Sequence, residues 1–328
     1  MRQALQRAWL RRGPLARLLF PFSLAYGALA GRSRAAARRQ AQRLPVPVVV
    51  VGNVIAGGAG KTPVVLAVLE HLRERGLRAG VVSRGYGRQG DDCIEVRPDD
   101  EAARVGDEPL LVRRRSGVPV FVAARRADAG RALLQAHPRT QVIVADDGLQ
   151  HLALARALEI CAFDGRGIGN GWQLPAGPLR EPWPRPVDLV LVHGDPQGIA
   201  GHRLRRQLAA EAVRADGARQ PLAALRAAPV VAMAGLANPH AFFGMLPAAG
   251  LQLAQARALP DHHDFSDAST LPADAMLVCT EKDAVKLWRV RPDAWAVPLQ
   301  VAVPVAFWQA FDRLLDARLS SPHGSPPP

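Results

Sequence analysis

One segment constrains the fold of this sequence more than any other, because a buried-strand pattern, a glycine-rich turn and a helical pattern follow one another directly. Four consecutive valines, Val48–Val51, are typical of a strand that is covered on both faces. The turn ends in Lys61-Thr62, and the helical pattern begins near Pro63 and stops at Gly76. This order is typical of a phosphate-binding loop, so the sequence predicts an α/β core that binds a nucleotide.

The predicted loop has the chemistry that phosphate oxygens require. Glycines allow backbone amides to approach the phosphates, the Lys61 ammonium adds a compact positive charge, and the Thr62 hydroxyl can bind magnesium. The strict loop pattern begins with glycine, where this sequence has Ile55, so the start of the loop departs from that pattern. We expect nucleotide contacts from the whole loop: Ile55, Ala56, Gly57, Gly58, Ala59, Gly60, Lys61 and Thr62.

Two adjacent carboxylates, Asp146 and Asp147, follow the apolar run Val142–Ala145. Phosphoryl transfer needs a carboxylate on a neighbouring strand to hold magnesium, directly or through water. Acidic pairs at strand ends are also common in turns and helix caps, so the pair alone leaves both interpretations open. Because it follows a phosphate-binding loop, we predict that Asp146 and Asp147 bind Mg²⁺ together with Thr62.

Short apolar runs alternate with helical patterns from residue 46 onward, which predicts a P-loop NTPase-like, doubly wound and mostly parallel sheet. A polar stretch rich in Ala and Arg at residues 203–219 interrupts this alternation. A second set of apolar runs follows: Pro229–Ala234, Met276–Cys279 and Leu299–Val303. We therefore predict a kinase-like core domain over residues 46–215, a smaller C-terminal α/β domain over residues 216–319, and a disordered tail over residues 320–328.

Residues 1–45 differ from the rest, because leucines and aromatic residues are interleaved with arginines. The apolar stretch Leu18–Ala30 is shorter than the ~20 residues that span a bilayer, and it contains Pro21. The pattern predicts an N-terminal amphipathic segment associated with a membrane surface. A helix packed on the protein's own body and a targeting signal are the alternatives.

The net charge of +13 at pH 7 favours anionic partners such as nucleic acid, acidic lipids or phosphorylated substrates. Aromatic residues make up only 5% of the chain and offer few stacking platforms, so we expect no nucleic-acid partner. Nearly all basic residues are arginines, and lysine occurs only at Lys61, Lys282 and Lys286. Widely spaced cysteines argue against a disulfide framework or a zinc site: Cys93, Cys161 and Cys279.

An ordered set of further motifs resembles that of the tetraacyldisaccharide 4'-kinases, the lipid A 4'-kinase family. The glycine-rich loop is shared by many nucleotide-hydrolysing proteins. The strings D-D-G-x-Q-H and P-A-G-P-L-R-E-P, in this order, are much more specific. The motifs beside the loop are Ser83–Arg88, Gly106–Pro109, Asp146–His151, Pro175–Pro182 and Asp261–His263.

This resemblance implies a kinase that uses ATP and Mg²⁺ and phosphorylates the 4'-hydroxyl of tetraacyldisaccharide 1-phosphate, forming lipid IVA in lipid A biosynthesis. It implies action at the cytoplasmic face of the inner membrane of a Gram-negative bacterium. An acylated disaccharide lipid is then the substrate and the membrane surface a partner, and we expect no obligate protein partner. An acylated, anionic acceptor would account for both the N-terminal segment and the positive charge.

The resemblance also implies roles for individual residues. Asp107 and His262 form the catalytic pair that accepts or relays the proton of the acceptor hydroxyl, and His262 fits the family motif better than His263. Glu181 is a further candidate magnesium ligand. Contacts with acceptor or phosphate oxygens are expected from Gln150, His151, Arg180, Arg84 and Arg125. Arg126 follows the same strand end as Arg125, and at least one of these two is expected to lie in solvent.

Other proteins with a phosphate-binding loop remain the competing interpretation. A metallochaperone GTPase or an ATP-dependent ligase can also contain a Gly-Gly-x-Gly-Lys-Thr loop. The Cys and His clusters that handle metal in the former are missing from this sequence.

Overall fold

The structure is a computed structural model that describes residues 9–57, 60–196, 198–236, 238–261, 263–265, 267, 271–272 and 275–320. Its first elements are α1 (Pro14–Arg39), β1 (Val48–Gly52), α2 (Lys61–Glu74), β2 (Ala79–Ser83), β3 (Ile94–Glu95), α3 (Ala102–Val105), α4 (Asp107–Ser116), β4 (Val120–Val122), α5 (Arg126–Ala136), β5 (Val142–Asp146), β6 (Leu158–Phe163) and β7 (Leu189–His193). They are followed by β8 (His202–Leu208), β9 (Glu211–Val213), β10 (Arg219–Pro221), a 3₁₀ turn (Leu222–Ala227), β11 (Val230–Ala234), α6 (Pro239–Ala248), β12 (Leu253–Ala258), β13 (Met276–Thr280), α7 (Glu281–Leu287), β14 (Trp295–Val297), β15 (Leu299–Ala302) and α8 (Val305–Leu319).

Within the described residues, nine strands form the first sheet in the order β15-β8-β7-β6-β1-β5-β2-β4-β3. Neighbouring strands from β8 to β4 are parallel, and the edge strands β15 and β3 are antiparallel. Alternate valines of β1 face opposite apolar clusters, to which α2 and α8 contribute on one face and α5 on the other. The predicted α/β fold with a mostly parallel sheet is confirmed.

The second sheet has the order β10-β9-β14-β13-β11-β12, in which β12, β11, β13 and β14 are parallel. Helix α6 packs Phe242, Phe243 and Leu246 into one apolar cluster, and α7 contributes Ala284 and Leu287 to another. This part of the chain is therefore also α/β, with strands that lie between helical layers.

The boundary between the two sheets differs from the sequence-based prediction at its N-terminal side. The polar stretch at residues 203–219 was expected to interrupt the sheet pattern, but it contains most of β8, all of β9 and the start of β10. Strand β8 pairs with β7 and β15, yet Leu204 is its one buried residue. A strand that buries so little shows no apolar run, which is why its sequence reads as an interruption.

The C-terminal side differs as well, because residues 299–319 belong to the first sheet. Strand β15 was expected in the smaller domain, but it pairs antiparallel with β8, Leu299 opposite Leu208. Helix α8 then packs Phe307, Phe311 and Leu315 against the cluster that contains β1 and α2. The chain thus leaves the first sheet after β8, forms the second sheet, and returns to the first sheet at β15. Residues 321–328 of the predicted tail lie outside the described residues.

Helix α1 packs on the protein with one side and exposes large apolar residues on the other. Ser23 is buried and links the helix to the segment after β6, because its hydroxyl donates to the Gln173 carbonyl and accepts from the Ala176 amide, both at 2.9 Å. Exposed apolar side chains are Leu15, Leu18, Phe22, Leu24 and Leu29. No helix among the described residues is long and apolar enough to cross a membrane.

Candidate active site

Parallel pairing brings the predicted site residues to one edge of the first sheet. Val51 of β1 lies opposite Asp146 of β5, so the phosphate-binding loop and the acidic pair leave the sheet side by side. In open α/β sheets, ligands bind at the carboxyl ends of the strands, where the loops diverge. The candidate site is therefore built by loops from several parts of the chain.

The phosphate-binding loop leads directly into α2, which begins at Lys61, two residues earlier than the sequence pattern predicts. Gly60 precedes the helix with φ 69°, in the left-handed region that favours glycine. Ile55 is buried and does not adopt a positive φ, so the glycine of the strict pattern is not required there. Residues 58 and 59 lie outside the described residues.

A second segment holds the start of this loop in place. The Ala56 amide donates to the Pro178 carbonyl at 2.7 Å, and the Arg180 amide donates to the Val54 carbonyl at 2.7 Å. These two hydrogen bonds align the Pro175–Pro182 motif antiparallel to the loop. The Pro175–Pro182 motif therefore contacts the loop through backbone pairing. The Asp146–His151 motif contacts it through a side chain, because Asp147 pairs with Lys61.

The Lys61 ammonium lies between the loop and the acidic pair. Its Nζ atom is 3.5 Å from the Asn53 Oδ1 atom and 3.5 Å from the Asp147 Oδ1 atom. Asp147 also accepts two hydrogen bonds from the Arg180 guanidinium, both at 3.1 Å. Burial alone would raise the pKa of Asp147, but Lys61 and Arg180 together lower it, so this carboxylate is ionised at neutral pH.

Asp146, next in the chain, has the opposite character. Burial, together with the negative charges of Glu108 and Asp147, raises the pKa of Asp146 to about 7. Its Oδ1 atom is buried and has no hydrogen-bond partner among the described residues. A buried carboxylate with a free oxygen is costly by itself, and a bound cation would relieve that cost.

Glutamine and glutamate side chains complete this part of the site. The Gln150 amide donates to the Glu181 Oε1 atom at 2.7 Å and to the Asn53 carbonyl at 2.9 Å. Arg180 donates to the Gln150 Oε1 atom at 3.2 Å. Glu181 is buried, and its other oxygen lies 3.2 Å from the Arg185 Nε atom. The predicted residues Asp147, Gln150, Arg180 and Glu181 therefore form one connected polar network.

The adjacent arginines at the start of α5 point in different directions. Arg125, the predicted contact, is 68% exposed and lies 3.9 Å from Asp128. Arg126 is buried instead and donates to the Asp147 carbonyl at 3.2 Å, while its Nε and Nη1 atoms find no hydrogen-bond partner among the described residues. Burial lowers the pKa of Arg126 to about 10. The inward arginine is thus Arg126.

His151 and Arg84 lie near this buried arginine. Burial, followed by the positive charge of Arg126, lowers the pKa of His151 to about 3, so its imidazole is neutral at physiological pH. Arg84 is exposed, and its charge acts on both Arg126 and His151. Both residues therefore border the site without direct contact with Lys61.

Asp107 begins helix α4 and is buried. Its Oδ2 atom is 2.7 Å from the Nζ atom of Lys286, a residue of α7 on the second sheet. His262, its predicted catalytic partner, lies outside the described residues. The flanking residues are described: Lys282 donates to the Asp261 Oδ1 atom at 3.4 Å, and Lys286 donates to the His263 carbonyl at 3.3 Å.

Sequence reasoning did not assign Lys282, Lys286 or Arg206 to the site. The scarcity of lysine was a usable signal, because Lys61, Lys282 and Lys286 all contact acidic residues at this edge of the core. Arg206 of β8 gave no signal, yet a side chain at Gly60 would collide with its guanidinium. Its strand comes from a stretch with no local motif.

Metal ligands were predicted at Thr62, Asp146, Asp147 and Glu181. No group of three or more His, Cys, Asp or Glu side chains is arranged to hold a metal ion in the described part of the chain. Magnesium in phosphoryl-transfer sites is commonly held by one or two carboxylates together with substrate phosphates. Asp146 and Asp147 are close enough to the loop for that kind of binding.

Comparisons with known proteins agree with this geometry. The family model described as tetraacyldisaccharide-1-P 4'-kinase matches residues 15–320. The tetraacyldisaccharide 4'-kinase of Acidovorax sp. (strain JS42) is 58% identical over 98% of this chain and 97% of its own length. That of Delftia acidovorans is 55% identical over 96% and 95%. A crystal structure of apo form LpxK from Aquifex aeolicus in complex with ATP covers 92% of this chain and 99% of its own, with 26% identity and a TM-score of 0.79.

The raised pKa of Asp146 predicts a pH-dependent effect of replacing it. A carboxyl group whose pKa is about 7 when folded and about 3.9 when unfolded binds its proton more tightly in the folded protein, so stability falls as pH rises between these values. In buffer with EDTA, Asp146→Asn should raise the melting temperature at pH 8 and change it little at pH 4. The expected gain at pH 8 is on the order of 4 kcal/mol, because the two pKa values differ by about three units.

Asp195→Asn is the matched control, because Asp195 is 90% exposed and forms an ion pair with the exposed residue Arg203. It should change the melting temperature little at either pH. An equal destabilisation by Asp146→Asn at both pH values would contradict the prediction and would indicate that the carboxyl group is held by structural hydrogen bonds.

Proposed function

The chain belongs to the tetraacyldisaccharide-1-P 4'-kinase family, and on that premise we propose that it transfers the γ-phosphoryl group of ATP to the 4'-hydroxyl of tetraacyldisaccharide 1-phosphate. The product is lipid IVA, and the pathway is lipid A biosynthesis. The observation that carries the proposal is the contact series from Lys61 through Asp147 to Arg180, which joins the phosphate-binding loop to the family's most specific motifs. With the family established, the GTPase and ligase alternatives are set aside.

The phosphates of ATP fit the start of α2. Backbone amides of the loop and the positive end of the helix attract phosphate oxygens, and Lys61 supplies a charge that can follow the transferred group. Arg180 and Arg126 add positive charge on the side of Asp147. Phosphoryl transfer depends mainly on such positioning and charge stabilisation, because the protein forms no covalent bond with the phosphate.

Magnesium fits the residues present. Asp146 offers a buried oxygen without a hydrogen-bond partner among the described residues, Asp147 lies beside it, and Thr62 is in the first turn of α2. These residues would hold the ion, which would neutralise charge on the phosphate oxygens. Glu181 remains a candidate ligand, although its carboxylate contacts Gln150 and Arg185.

The acceptor hydroxyl requires a base, and we assign that role to Asp107 with His262. A carboxylate hydrogen-bonded to an imidazole fixes the tautomer of the ring and favours its protonated form, so the pair can take up the proton as the hydroxyl attacks phosphorus. Asp107 is buried at the start of α4. Its neighbour Glu108 is close enough to Asp146 for its negative charge to raise the pKa of Asp146. Gln150 and Arg180 would contact the sugar or phosphate oxygens of the acceptor.

Helix α1 would hold the enzyme at the cytoplasmic face of the inner membrane. Its exposed leucines and Phe22 would enter the acyl boundary, while neighbouring arginines would contact acidic headgroups. The helix also reaches the site, because the hydroxyl of Tyr26, one turn after Phe22, donates to the Arg180 carbonyl at 3.1 Å. A lipid acceptor at the membrane surface would therefore lie close to Arg180 and the Pro175–Pro182 motif.

The direct test is incubation with labelled ATP, magnesium and tetraacyldisaccharide 1-phosphate, followed by chromatography of the lipid. Lys61→Ala should lower kcat/KM by about 10²-fold, because this corresponds to a loss of ~2.7 kcal/mol of transition-state stabilisation. Arg73→Ala, an exposed change on the same helix, is the control and should leave turnover unchanged. Absence of a phosphorylated lipid with the unaltered protein would refute the proposed function.

The catalytic pair predicts non-additive losses. Asp107→Ala and His262→Ala should each lower kcat strongly while ATP affinity, measured by calorimetry, is retained. If the two groups act as one unit, the double variant should be scarcely slower than the slower single variant. Losses that multiply would mean that the two residues act independently, and the base would then be sought among Asp147, His151 and His263.

The exposed face of α1 predicts membrane binding. Leu18→Glu combined with Phe22→Glu should reduce binding to vesicles that contain phosphatidylglycerol by at least about tenfold, because each apolar side chain contributes roughly 1.5–3 kcal/mol when buried. ATP affinity should not change. Val305→Glu, at an equally exposed apolar position on α8, is the matched control. Unreduced vesicle binding by the double variant would place the membrane contact elsewhere.

A further inference from the structure

The contact between the second sheet and the core is rich in ion pairs. Helix α7 and the residues directly after it face α3 and α4, and oppositely charged side chains meet along this line. The pairs are Glu281 with Arg115 at 2.5 Å, Lys282 with Glu108 at 3.7 Å, Lys286 with Asp107 at 2.7 Å and Arg289 with Glu101 at 3.5 Å. The predicted base is therefore contacted by a cation from the other sheet.

The Lys286–Asp107 pair differs from the outer pair of the same interface. Its side chains are 14% and 8% exposed, whereas those of Arg289 and Glu101 are 48% and 71% exposed. An exposed ion pair contributes little, because water and salt screen it. A buried pair is different, since removal of one partner leaves the other charge desolvated and without compensation.

The same helix also holds the segment that contains the predicted catalytic histidine. Lys286 donates to the His263 carbonyl, and Lys282, one turn earlier, donates to Asp261. Residues on both sides of His262 are thus tied to the helix that contacts Asp107. One ammonium group therefore contacts both the Asp107 carboxylate and the carbonyl of His263, the residue after His262.

We propose that Lys286 is a positioning residue for phosphoryl transfer, which keeps Asp107 as an oriented carboxylate and holds the His263 carbonyl beside it. The inference rests on the proposed function, since it concerns the base of that reaction. As the acceptor oxygen forms its bond to the γ-phosphorus, the bond between that phosphorus and the bridging oxygen of ADP breaks. The acceptor proton passes to the Asp107–His262 pair, and Lys286 neither gives nor takes a proton.

Several charged groups lie around Asp107 and set the sign of the effect. Glu108, the next residue of the same helix, is also acidic, and its charge acts on Asp146 at the end of β5. Asp261 and His263 lie in the segment after β12, where Lys282 contacts the Asp261 carboxylate and Lys286 contacts the His263 carbonyl. Lys282 and Lys286 of α7 supply the opposing positive charge. Loss of Lys286 would therefore leave Asp107 in a more negative surrounding and favour its protonation.

The test compares the pH dependence of kcat in matched variants. Lys286→Met removes the charge but keeps an unbranched side chain, and we expect at least a tenfold lower kcat at pH 7. The acidic limb of the kcat profile should move to higher pH by about one unit, while the Kd for ATP, measured by calorimetry, is retained. Lys286→Arg restores the charge and should return the acidic limb to its original position.

Arg289→Met is the control, because it removes a neighbouring ion pair of the same interface without contact to Asp107. It should leave kcat and the acidic limb unchanged. If Lys286→Met does not fold, Lys286→Gln provides the same test, since its amide can still donate hydrogen bonds but carries no charge. An acidic limb that stays in place in the folded neutral variant overturns the inference.

The Asp107→Ala variant separates this inference from the proposed function. If Asp107→Ala loses activity while Lys286→Met keeps both kcat and the acidic limb, the kinase assignment stands and the role of Lys286 is refuted. If Asp107→Ala retains kcat, the base assignment itself fails and the inference fails with it. A loss in Asp107→Ala, a shifted limb in Lys286→Met and recovery in Lys286→Arg together support the inference.

Discussion

The ion pair between Lys61 and Asp147 depends on the parallel register of β1 and β5, and the rest of the site depends on that pair. Because Val51 lies opposite Asp146, the lysine that ends the phosphate-binding loop meets the carboxylate that follows β5. Asp147 then orients Arg180, and Arg180 belongs to the segment that pairs with the start of the loop. A shift of one residue in this register would separate nucleotide-binding and acidic groups, since alternate strand residues face opposite sides of the sheet.

Two adjacent carboxylates in this site have different ionisation because their surroundings differ. Asp147 is stabilised as an anion by Lys61 and Arg180, whereas burial and neighbouring negative charges disfavour the anionic form of Asp146. Such divergence is common where a protein holds charge for chemistry rather than for stability. The folded protein tolerates the cost at Asp146 because the surrounding strands are fully buried in apolar clusters that stabilise the sheet independently.

Local patterns in the sequence were sufficient to predict the central strand, the loop and the acidic pair. Each is a short run of residues whose function can be inferred from its own residue types, without knowledge of tertiary contacts. The relative orientation of Arg125 and Arg126 was not accessible, since it depends on how α5 packs against the sheet. Lys286 and Arg206 come from elements far along the chain, and only tertiary structure brings them to Asp107 and Gly60. The same reason explains α8, whose amphipathic pattern does not reveal which sheet it covers.

The position of the second sheet between β8 and β15 has a topological consequence. These strands are hydrogen-bonded neighbours, and the Ala209 amide donates to the Pro298 carbonyl at 2.8 Å, so the chain departs from and returns to the core at adjacent points. A tight turn from residue 208 to residue 299 would close the core as an ordinary hairpin. The second sheet is therefore inserted at a single turn of the core. Lys282 and Lys286, which contact Glu108 and Asp107, belong to the inserted residues, so the core strands and helices alone lack them.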